Sequence, residues 1–162
     1  MRIVLTGKMG SGKSHIAGLL VPLGYERLHF ATPLKQAALC FQDKPGRELL
    51  QKLSEVLRGV EPRPLLERME EALEFAGENV VIDDCRFKDE LAMLRANDFK
   101  AVRIAAPIDL RVERLKANGR FQSVEQLDHE SENGLLGVDL PVLENVGLSD
   151  EDLINDLWGV VR

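Results

Sequence analysis

Cysteine, histidine and aromatic residues are scarce in this chain, and each scarcity argues against a kind of protein. The two cysteines, Cys40 and Cys85, lie far apart and form no Cys-x-x-Cys pair, which argues against a zinc site or a disulfide framework. The three histidines show no metal-ligand spacing. Aromatic residues make up only 5 % of the 162 residues, so the core has to consist mainly of Leu, Val, Ile and Ala.

An excess of positive charge and a long apolar run are missing as well. The chain has 21 Lys and Arg against 27 Asp and Glu, a net charge of −6, so nucleic-acid phosphates would repel it. We therefore expect no nucleic-acid polymer as a partner, and any bound phosphate needs a local cluster of cations. No apolar run reaches 18 residues and a strand pattern starts at the first residue, so we expect no membrane partner, no signal peptide and a cytoplasmic location.

What the chain does contain is a regular alternation of strand and helix patterns. Short apolar runs alternate with segments whose apolar residues recur at helical spacing, over a length that suits one domain. The alternation predicts an α/β fold with a mostly parallel sheet covered by helices on both faces. The least regular stretch, about residues 118–140, suits a lid or a mobile loop. The predicted strands span residues 2–6, 25–30, 79–84, 100–107 and 141–147.

A glycine-rich segment, GKMGSGKS at residues 7–14, joins the first strand pattern to a helix pattern. It matches G-x-x-x-x-G-K-[ST], in which glycines let the backbone curl so that several N–H groups point at one anion. Lys13 is predicted to reach the β- and γ-phosphates of ATP, and the Ser14 hydroxyl to ligate Mg²⁺. A plain strand-to-helix turn is the alternative, but a turn needs neither side chain. The predicted ATP-binding residues of this loop are Gly7, Lys8, Met9, Gly10, Ser11, Gly12, Lys13 and Ser14.

A second strand pattern supplies a carboxylate. The segment VVIDDCRF, residues 80–87, ends on Asp83 and Asp84, which alternate across the pleat, so we expect one of them to face the nucleotide. We assign Asp84 to Mg²⁺ together with Ser14. Arg86 is predicted to point into the same cleft, where a guanidinium suits a second phosphate group. A solvated aspartate and an arginine paired with a nearby acid are the alternative.

Several segments resemble a known family. The Gly-x-x-Gly-x-Gly-Lys-Ser spacing is similar to the phosphate loop of nucleoside monophosphate kinases, and further segments resemble the bacteriophage-type deoxynucleoside monophosphate kinases in the family's order. Thr32 departs from the family's usual aspartate, and Lys88 and Asp89 replace its usual Pro-Asn, so the choice of sugar or base stays open. The matching segments are FATPLKQAA, RELLQKLSEVLR, VVIDDCRFKDE, DHESE and VLENVGLSDEDL.

The resemblance implies a fold and a reaction. The implied fold is a three-layer α/β/α P-loop kinase with a mostly parallel five-stranded sheet, an acceptor-binding helical region at about residues 32–77 and a small lid at about 111–135. The implied reaction is the phosphorylation of deoxynucleoside 5′-monophosphates to diphosphates by ATP with Mg²⁺, as part of nucleotide biosynthesis. For a phage-encoded chain the location is the host cytoplasm.

The resemblance also implies roles for single residues. Arg111 and Arg114 lie three apart on a predicted helix, so they share a face and resemble the lid arginines of monophosphate kinases; an ordinary solvated helix face is the alternative. The acceptor-side residues are Lys35, Arg47, Gln51, Arg58 and Arg86. Asn145 and Gly147 occupy positions where related kinases bring a loop against adenine. The catalytic residues are Lys13, Asp84, Arg86, Arg111 and Arg114, with Arg120 as a further lid arginine.

Other functions stay open at this point. A P-loop kinase for another small phosphorylated acceptor, such as dephospho-coenzyme A, fits because that family shares the Asn-x-Gly ending. A GTP-binding switch predicts an Asn-Lys-x-Asp motif, which the sequence lacks. A nucleic-acid-stimulated ATPase conflicts with the net charge of −6. The sequence leaves both a monomer and a homodimer open.

Overall fold

The computed structural model describes residues 1–60, 64–121, 123, 127 and 134–162, and its centre is a five-stranded sheet. The strands are β1 (Arg2–Thr6), β2 (Glu26–Leu28), β3 (Val80–Ile82), β4 (Phe99–Ala105) and β5 (Val142–Glu144). Their order in the sheet is β2-β3-β1-β4-β5, and every neighbouring pair is parallel. The parallel sheet predicted from the alternation is thus confirmed. The edge strands β2 and β5 and the inner strand β3 have three residues each, fewer than predicted.

Seven α-helices lie in the described ranges and connect these strands. They are α1 (Lys13–Leu20), α2 (Thr32–Leu39), α3 (Arg47–Val60), α4 (Pro64–Phe75), α5 (Lys88–Ala96), α6 (Ile108–Ala117) and α7 (Asp150–Val161), with a 3₁₀ turn at Val21–Leu23. Within the described part of the chain, no helix is long and apolar enough to cross a bilayer.

The core is divided between the two faces of the sheet. Alternate residues of β1 pack on opposite sides, as the two-residue repeat of a strand requires. Ile3 and Leu5 belong to a buried cluster with residues of α1 and α7, whereas Val4 belongs to a second cluster with residues of α4 and α5. This arrangement makes three layers and brings the carboxyl ends of all five strands to one edge.

The sequence predicts Thr32 and Ser149 as N-caps of the two helices that they precede, and the structure confirms only one of them. Ser149 precedes α7 and its hydroxyl accepts the N–H of Asp152 at 3.2 Å, as an N-cap should. Thr32 does not cap α2: it is the first residue of that helix, with no side-chain cap before it. The Asp84 carboxylate, on the loop after β3, instead accepts the N–H groups of Phe30 at 3.0 Å and Ala31 at 2.9 Å. A residue distant in sequence therefore replaces the local cap.

Helix α3 lies at the periphery of the fold. It packs on α2, and each of its residues whose exposure is described is at least partly exposed. The side chains of Arg47 and Arg58 lie outside the described part. So do residues 122, 124–126 and 128–133 of the predicted lid, which include the whole segment DHESE with the lid positions His129, Ser131 and Glu132.

Candidate active site

The glycine-rich loop between β1 and α1 adopts a backbone that only glycine tolerates at three positions. Gly7, Gly10 and Gly12 have φ of +124°, +81° and +103°. A Cβ at Gly12 would lie 2.1 Å from Asn145 Nδ2, and one at Gly7 would lie 2.2 Å from the Ile104 carbonyl oxygen. The predicted glycine turn is therefore built into the fold. Since α1 starts at Lys13, its positive end points into the loop.

Two side chains of the loop suit a phosphate ligand. Lys13 Nζ donates to the carbonyl oxygens of Gly7 at 2.5 Å and Lys8 at 3.1 Å, which holds the ammonium over the loop. The Ser11 side chain is 1 % exposed, and its hydroxyl has no hydrogen-bond partner among the described residues. A buried hydroxyl without a partner is costly, and a phosphate oxygen would satisfy it.

The aspartate that meets the loop is Asp83, which corrects the assignment of the neighbouring Asp84. Ser14 Oγ donates to Asp83 Oδ2 at 2.7 Å, and Asp83 is 4 % exposed. Asp84 faces the other way, toward the start of α2. Successive side chains of a strand point to opposite sides, and the sequence cannot show which side faces the loop.

Two residues of β2 and the loop after it hold the Asp83 carboxylate. Arg27 donates from Nε to Oδ1 at 3.0 Å and from Nη2 to Oδ2 at 2.6 Å, a bidentate pair, and His29 Nε2 lies 3.2 Å from Oδ1. Burial favours a higher pKa for Asp83, but the hydrogen bonds from His29, Arg27 and Ser14 and the Arg27 charge outweigh it. They hold the pKa well below its usual range, so the group is a carboxylate.

Arg27 and His29 were missed in the sequence analysis. The available signal was their spacing: residues two apart along an extended segment lie on the same side. What the spacing cannot reveal is the neighbour, which the sheet supplies by placing β2 beside β3, with Arg27 opposite Val81.

A cavity of about 300 Å³ opens beside the loop, at the carboxyl ends of β1, β3 and β4. Among the described residues that line it, five are cations and none is Asp or Glu, although the chain as a whole carries a net charge of −6. Such a concentration of positive charge in an acidic protein indicates a pocket for anions. The five cations are Lys8, Lys13, Arg86, Arg103 and Arg111.

Arg86 is half-buried, and its loop is fixed by a buried acid. Glu90 Oε2 accepts the backbone N–H groups of Arg86 at 2.7 Å and Phe87 at 3.1 Å, and Glu90 is 2 % exposed. A Cβ at Gly134 would lie 2.3 Å from the Arg86 carbonyl oxygen, so the chain returning from the lid region closes over this loop. Arg86 thus lines the cavity from a well-defined backbone, where the sequence predicted it.

Arg103 is a lining residue that the sequence analysis did not single out. Its Nη2 donates to the carbonyl oxygens of Leu135 at 3.2 Å and Val138 at 2.7 Å. A charged residue inside an apolar strand pattern was the available signal. These bonds tie residues 135–138 to β4 and so form one wall of the cavity.

Arg111 and Arg114 share a face of α6, as their spacing predicts, and both contact the glycine-rich loop. Arg111 is 6 % exposed, lines the cavity and donates from Nη1 to the Met9 carbonyl at 3.2 Å. Arg114 donates from Nη1 to the Ser11 carbonyl at 3.4 Å, and it is not among the residues that line the cavity. The two arginines therefore differ in position, which their spacing did not indicate.

Asn145 lies against the loop. Its side chain is 4 % exposed and donates from Nδ2 to the Ser11 carbonyl at 2.8 Å. Gly147, in the turn before α7, has a φ of +67°. The structure brings Asn145 to the outer side of the phosphate loop, a contact that the sequence analysis did not anticipate.

The remaining predicted residues lie away from the cavity. Lys35 is exposed on α2, Gln51 is half-buried on α3, and Arg120 is exposed beyond α6. None of the three lines the cavity. Of the predicted acceptor-side residues whose side chains are described, only Arg86 does so.

Known proteins match the chain in sequence and in fold. Residues 3–132 match the family model described as AAA domain, whereas no curated protein matches in sequence. The chain is similar to TT1252 from Thermus thermophilus, with 25 % identity, a TM-score of 0.67 and coverage of 98 % of this chain and 96 % of that one. A gluconokinase from Sinorhizobium meliloti 1021 shares 20 % identity and a TM-score of 0.62, covering 99 % and 90 %. The shikimate kinase from Aquifex aeolicus vf5 shares 18 % identity and a TM-score of 0.58, with coverage of 98 % of this chain and 94 % of that one. The three-layer P-loop kinase fold is confirmed by these similarities.

Proposed function

Since the chain belongs to the AAA domain family and has the P-loop kinase fold, we propose that it transfers the γ-phosphoryl group of ATP to a deoxynucleoside 5′-monophosphate. The products are ADP and a deoxynucleoside diphosphate. The observation that carries the proposal is the cavity, whose lining contains five cations and no acid among the residues that the structure describes. Two phosphorylated substrates that face each other need that density of positive charge to offset their repulsion.

The residues at the end of the loop fit Mg²⁺. The Ser14 hydroxyl and the Asp83 carboxylate are oxygen donors held 2.7 Å apart, and Mg²⁺ prefers oxygen ligands. A carboxylate offers about four lone-pair directions, and the contacts from Arg27, His29 and Ser14 occupy them. Asp83 would therefore act on the ion by holding the Ser14 hydroxyl, which can donate to Asp83 while a lone pair of its oxygen faces Mg²⁺. A bound Mg²⁺ would neutralise part of the negative charge of the triphosphate.

The chain's own residues divide the remaining work. The loop amides and Lys13 hold the triphosphate, and the Ser11 hydroxyl contributes one more donor. An oxygen of the acceptor phosphate attacks the γ-phosphorus while the bond to the leaving ADP oxygen breaks. Arg86 holds the acceptor phosphate in line, and Arg111 offsets the charge of the group in transfer. Positioning and charge neutralisation supply most of the rate enhancement in such reactions.

The proposal of a nucleotide as the acceptor is supported by the sequence segments that resemble deoxynucleoside monophosphate kinases. We propose that Lys35, Arg47, Gln51 and Arg58 on α2 and α3 bind the monophosphate acceptor, and that the segment at Gly147 lies near the adenine of ATP. The Asn145 side chain, which was expected there as well, is bonded to the phosphate loop instead. Asp84 supports the acceptor side by capping the start of α2. The fold alone does not select this acceptor, because similar structures include a gluconokinase and a shikimate kinase.

The test is a substrate panel. The purified protein with ATP and Mg²⁺ is given each common deoxynucleoside and ribonucleoside monophosphate, dephospho-coenzyme A, gluconate and shikimate, while ADP and the phosphorylated product are measured. We expect diphosphate formation from at least one deoxynucleoside monophosphate, and loss of nearly all of it in Lys13→Ala with the fold preserved. If the protein phosphorylates dephospho-coenzyme A, gluconate or shikimate and no nucleoside monophosphate, the proposed acceptor is wrong and that compound takes its place. Product formation by Lys13→Ala at the wild-type rate would reject the phosphate loop as the donor site.

A further inference from the structure

The outer side of the phosphate loop is held by two residues far away in sequence. The Ser11 carbonyl accepts a hydrogen bond from Asn145 Nδ2 at 2.8 Å and a longer one from Arg114 Nη1 at 3.4 Å. Arg114 also donates from Nη2 to the Asn145 backbone carbonyl at 3.1 Å and to its Oδ1 at 3.2 Å. The three residues form a closed set of contacts between α6, the end of β5 and the loop.

Arg114 determines the orientation of the Asn145 amide. A guanidinium can only donate, so the amide oxygen of Asn145 has to face it. The NH₂ group then donates to the Ser11 carbonyl at 2.8 Å. The bond from Asn145 to Ser11 therefore depends on the arginine.

This bond sets the direction of a backbone N–H. In a trans peptide the C=O and the N–H point in opposite directions, so a Ser11 carbonyl held on the outer side turns the Gly12 N–H to the inner side. Gly12 follows with φ of +103°, and a side chain there would collide with Asn145. The inner side is where the phosphates of a nucleotide bind.

We propose that Arg114 and Asn145 are positioning residues, which fix the Ser11–Gly12 peptide for phosphate binding and do not contact the group in transfer. Arg114 is absent from the lining of the cavity, unlike Arg111, three residues earlier on the same helix. The inference rests on the proposed function in one respect only, the binding of a nucleotide phosphate by this loop. It reassigns Arg114 from the direct catalytic role that the family resemblance implied.

Asn145→Asp separates this role from a general contribution to folding. The substitution keeps the shape of the side chain and strengthens its contact with Arg114, but a carboxylate cannot donate to the Ser11 carbonyl. Asn155→Asp on the exposed side of α7 adds the same charge and serves as the matched control. Arg114→Gln is the second variant, since it removes the charge and most of the donors that orient the amide.

The measurements are the dissociation constants of ATP, ADP and adenosine by calorimetry, together with the melting temperature. We expect Asn145→Asp to raise the dissociation constants of ATP and ADP about tenfold to a hundredfold, and to change that of adenosine less than about twofold. We expect Arg114→Gln to raise the dissociation constant of ATP about threefold to tenfold, and to raise the KM for ATP with little change in kcat. Asn155→Asp should match the wild type.

Several outcomes overturn the inference. Unchanged ATP binding in both variants, or equal losses for ATP and adenosine, would show that the contact does not act on the phosphates. A fall in kcat for Arg114→Gln at unchanged ATP affinity would return that arginine to a direct role in transfer. If Asn145→Asp does not fold, Arg114→Gln decides alone. A wild-type protein that binds ATP but phosphorylates no monophosphate rejects the proposed acceptor and leaves this inference standing. One that binds no ATP rejects both.

Discussion

The hydroxyl of Ser14 donates to Oδ2 of Asp83 at 2.7 Å, and this bond joins the first turn of α1 to the end of β3 across 69 residues of sequence. The next residue, Asp84, is directed to the start of α2. Two adjacent aspartates therefore contact different parts of the fold: Asp83 contacts the helix that follows the phosphate loop, and Asp84 contacts the segment that leads into α2.

Asp83→Asn should reduce phosphoryl transfer about 100-fold and raise the Mg²⁺ concentration needed for half-maximal rate, because the amide lacks the charge that suits a divalent ion. Asp84→Asn is the matched comparison. Its amide presents NH₂ toward one of two backbone N–H groups, so we expect a loss of about 1–3 kcal/mol in the free energy of unfolding with the Mg²⁺ dependence unchanged. Activity against Mg²⁺ concentration and denaturation in urea check both. The reverse pattern would restore Asp84 to the metal site.

Arg86→Ala should act mainly on the acceptor. The side chain lines the cavity beside the phosphate loop, and a guanidinium there binds a phosphate group through two parallel hydrogen bonds. We expect the acceptor KM to rise or kcat to fall by about tenfold or more, with the ATP dissociation constant changed less than about threefold. Arg86→Lys keeps the positive charge but loses the two parallel donors of the guanidinium, so its acceptor KM and kcat should lie between those of Arg86→Ala and the wild type. Steady-state kinetics in both substrates measure this, and equal losses for the two would count against an acceptor role.

Gly12→Ala should abolish tight ATP binding. Its Cβ would lie 2.1 Å from Asn145 Nδ2, and its φ of +103° is unfavourable for alanine, so the loop has to move. Gly18→Ala is the control, since a Cβ there meets no atom within 4 Å and the residue lies inside α1. We expect Gly18→Ala to bind ATP normally and to gain about 0.5–1 kcal/mol in stability. Normal ATP affinity in Gly12→Ala would mean that the loop geometry does not govern binding.

The two cysteines should differ in their reaction with a thiol reagent. Cys40 is exposed, whereas Cys85 is 3 % exposed. Burial, and then the nearby charges of Glu90, Asp84 and Asp89, raise the pKa of the Cys85 thiol far above its usual range. Because the thiolate is the reactive form, raising the pH from 7 to 9 should not speed labelling at Cys85, which stays protonated over that range. Mass spectrometry should find one adduct on the folded protein, two after unfolding, and none on folded Cys40→Ser. A native Cys85 adduct formed at the rate of Cys40 would contradict this.

Local patterns were sufficient for most of the fold. The strand and helix alternation predicted a parallel sheet between two helical layers, because periodicity records which face of each element is buried. Ser149 was recognised as a helix cap since its contact lies three residues away. Thr32 failed as a cap because it is itself the first residue of α2, and Asp84, more than fifty residues later, holds the segment before it.

The sequence by itself determined the phosphate loop, since three glycines, a lysine and a serine at that spacing act within a single turn of chain. Only the tertiary structure decided which aspartate meets Ser14, that Arg27 and Arg103 belong to the site, and that Asn145 supports the loop. The contact from Asn145 to Ser11 spans 134 residues, and that from Arg27 to Asp83 spans 56. Such pairs depend on the strand order, which places β2 beside β3 and β5 beside β4. No local sequence pattern encodes that order.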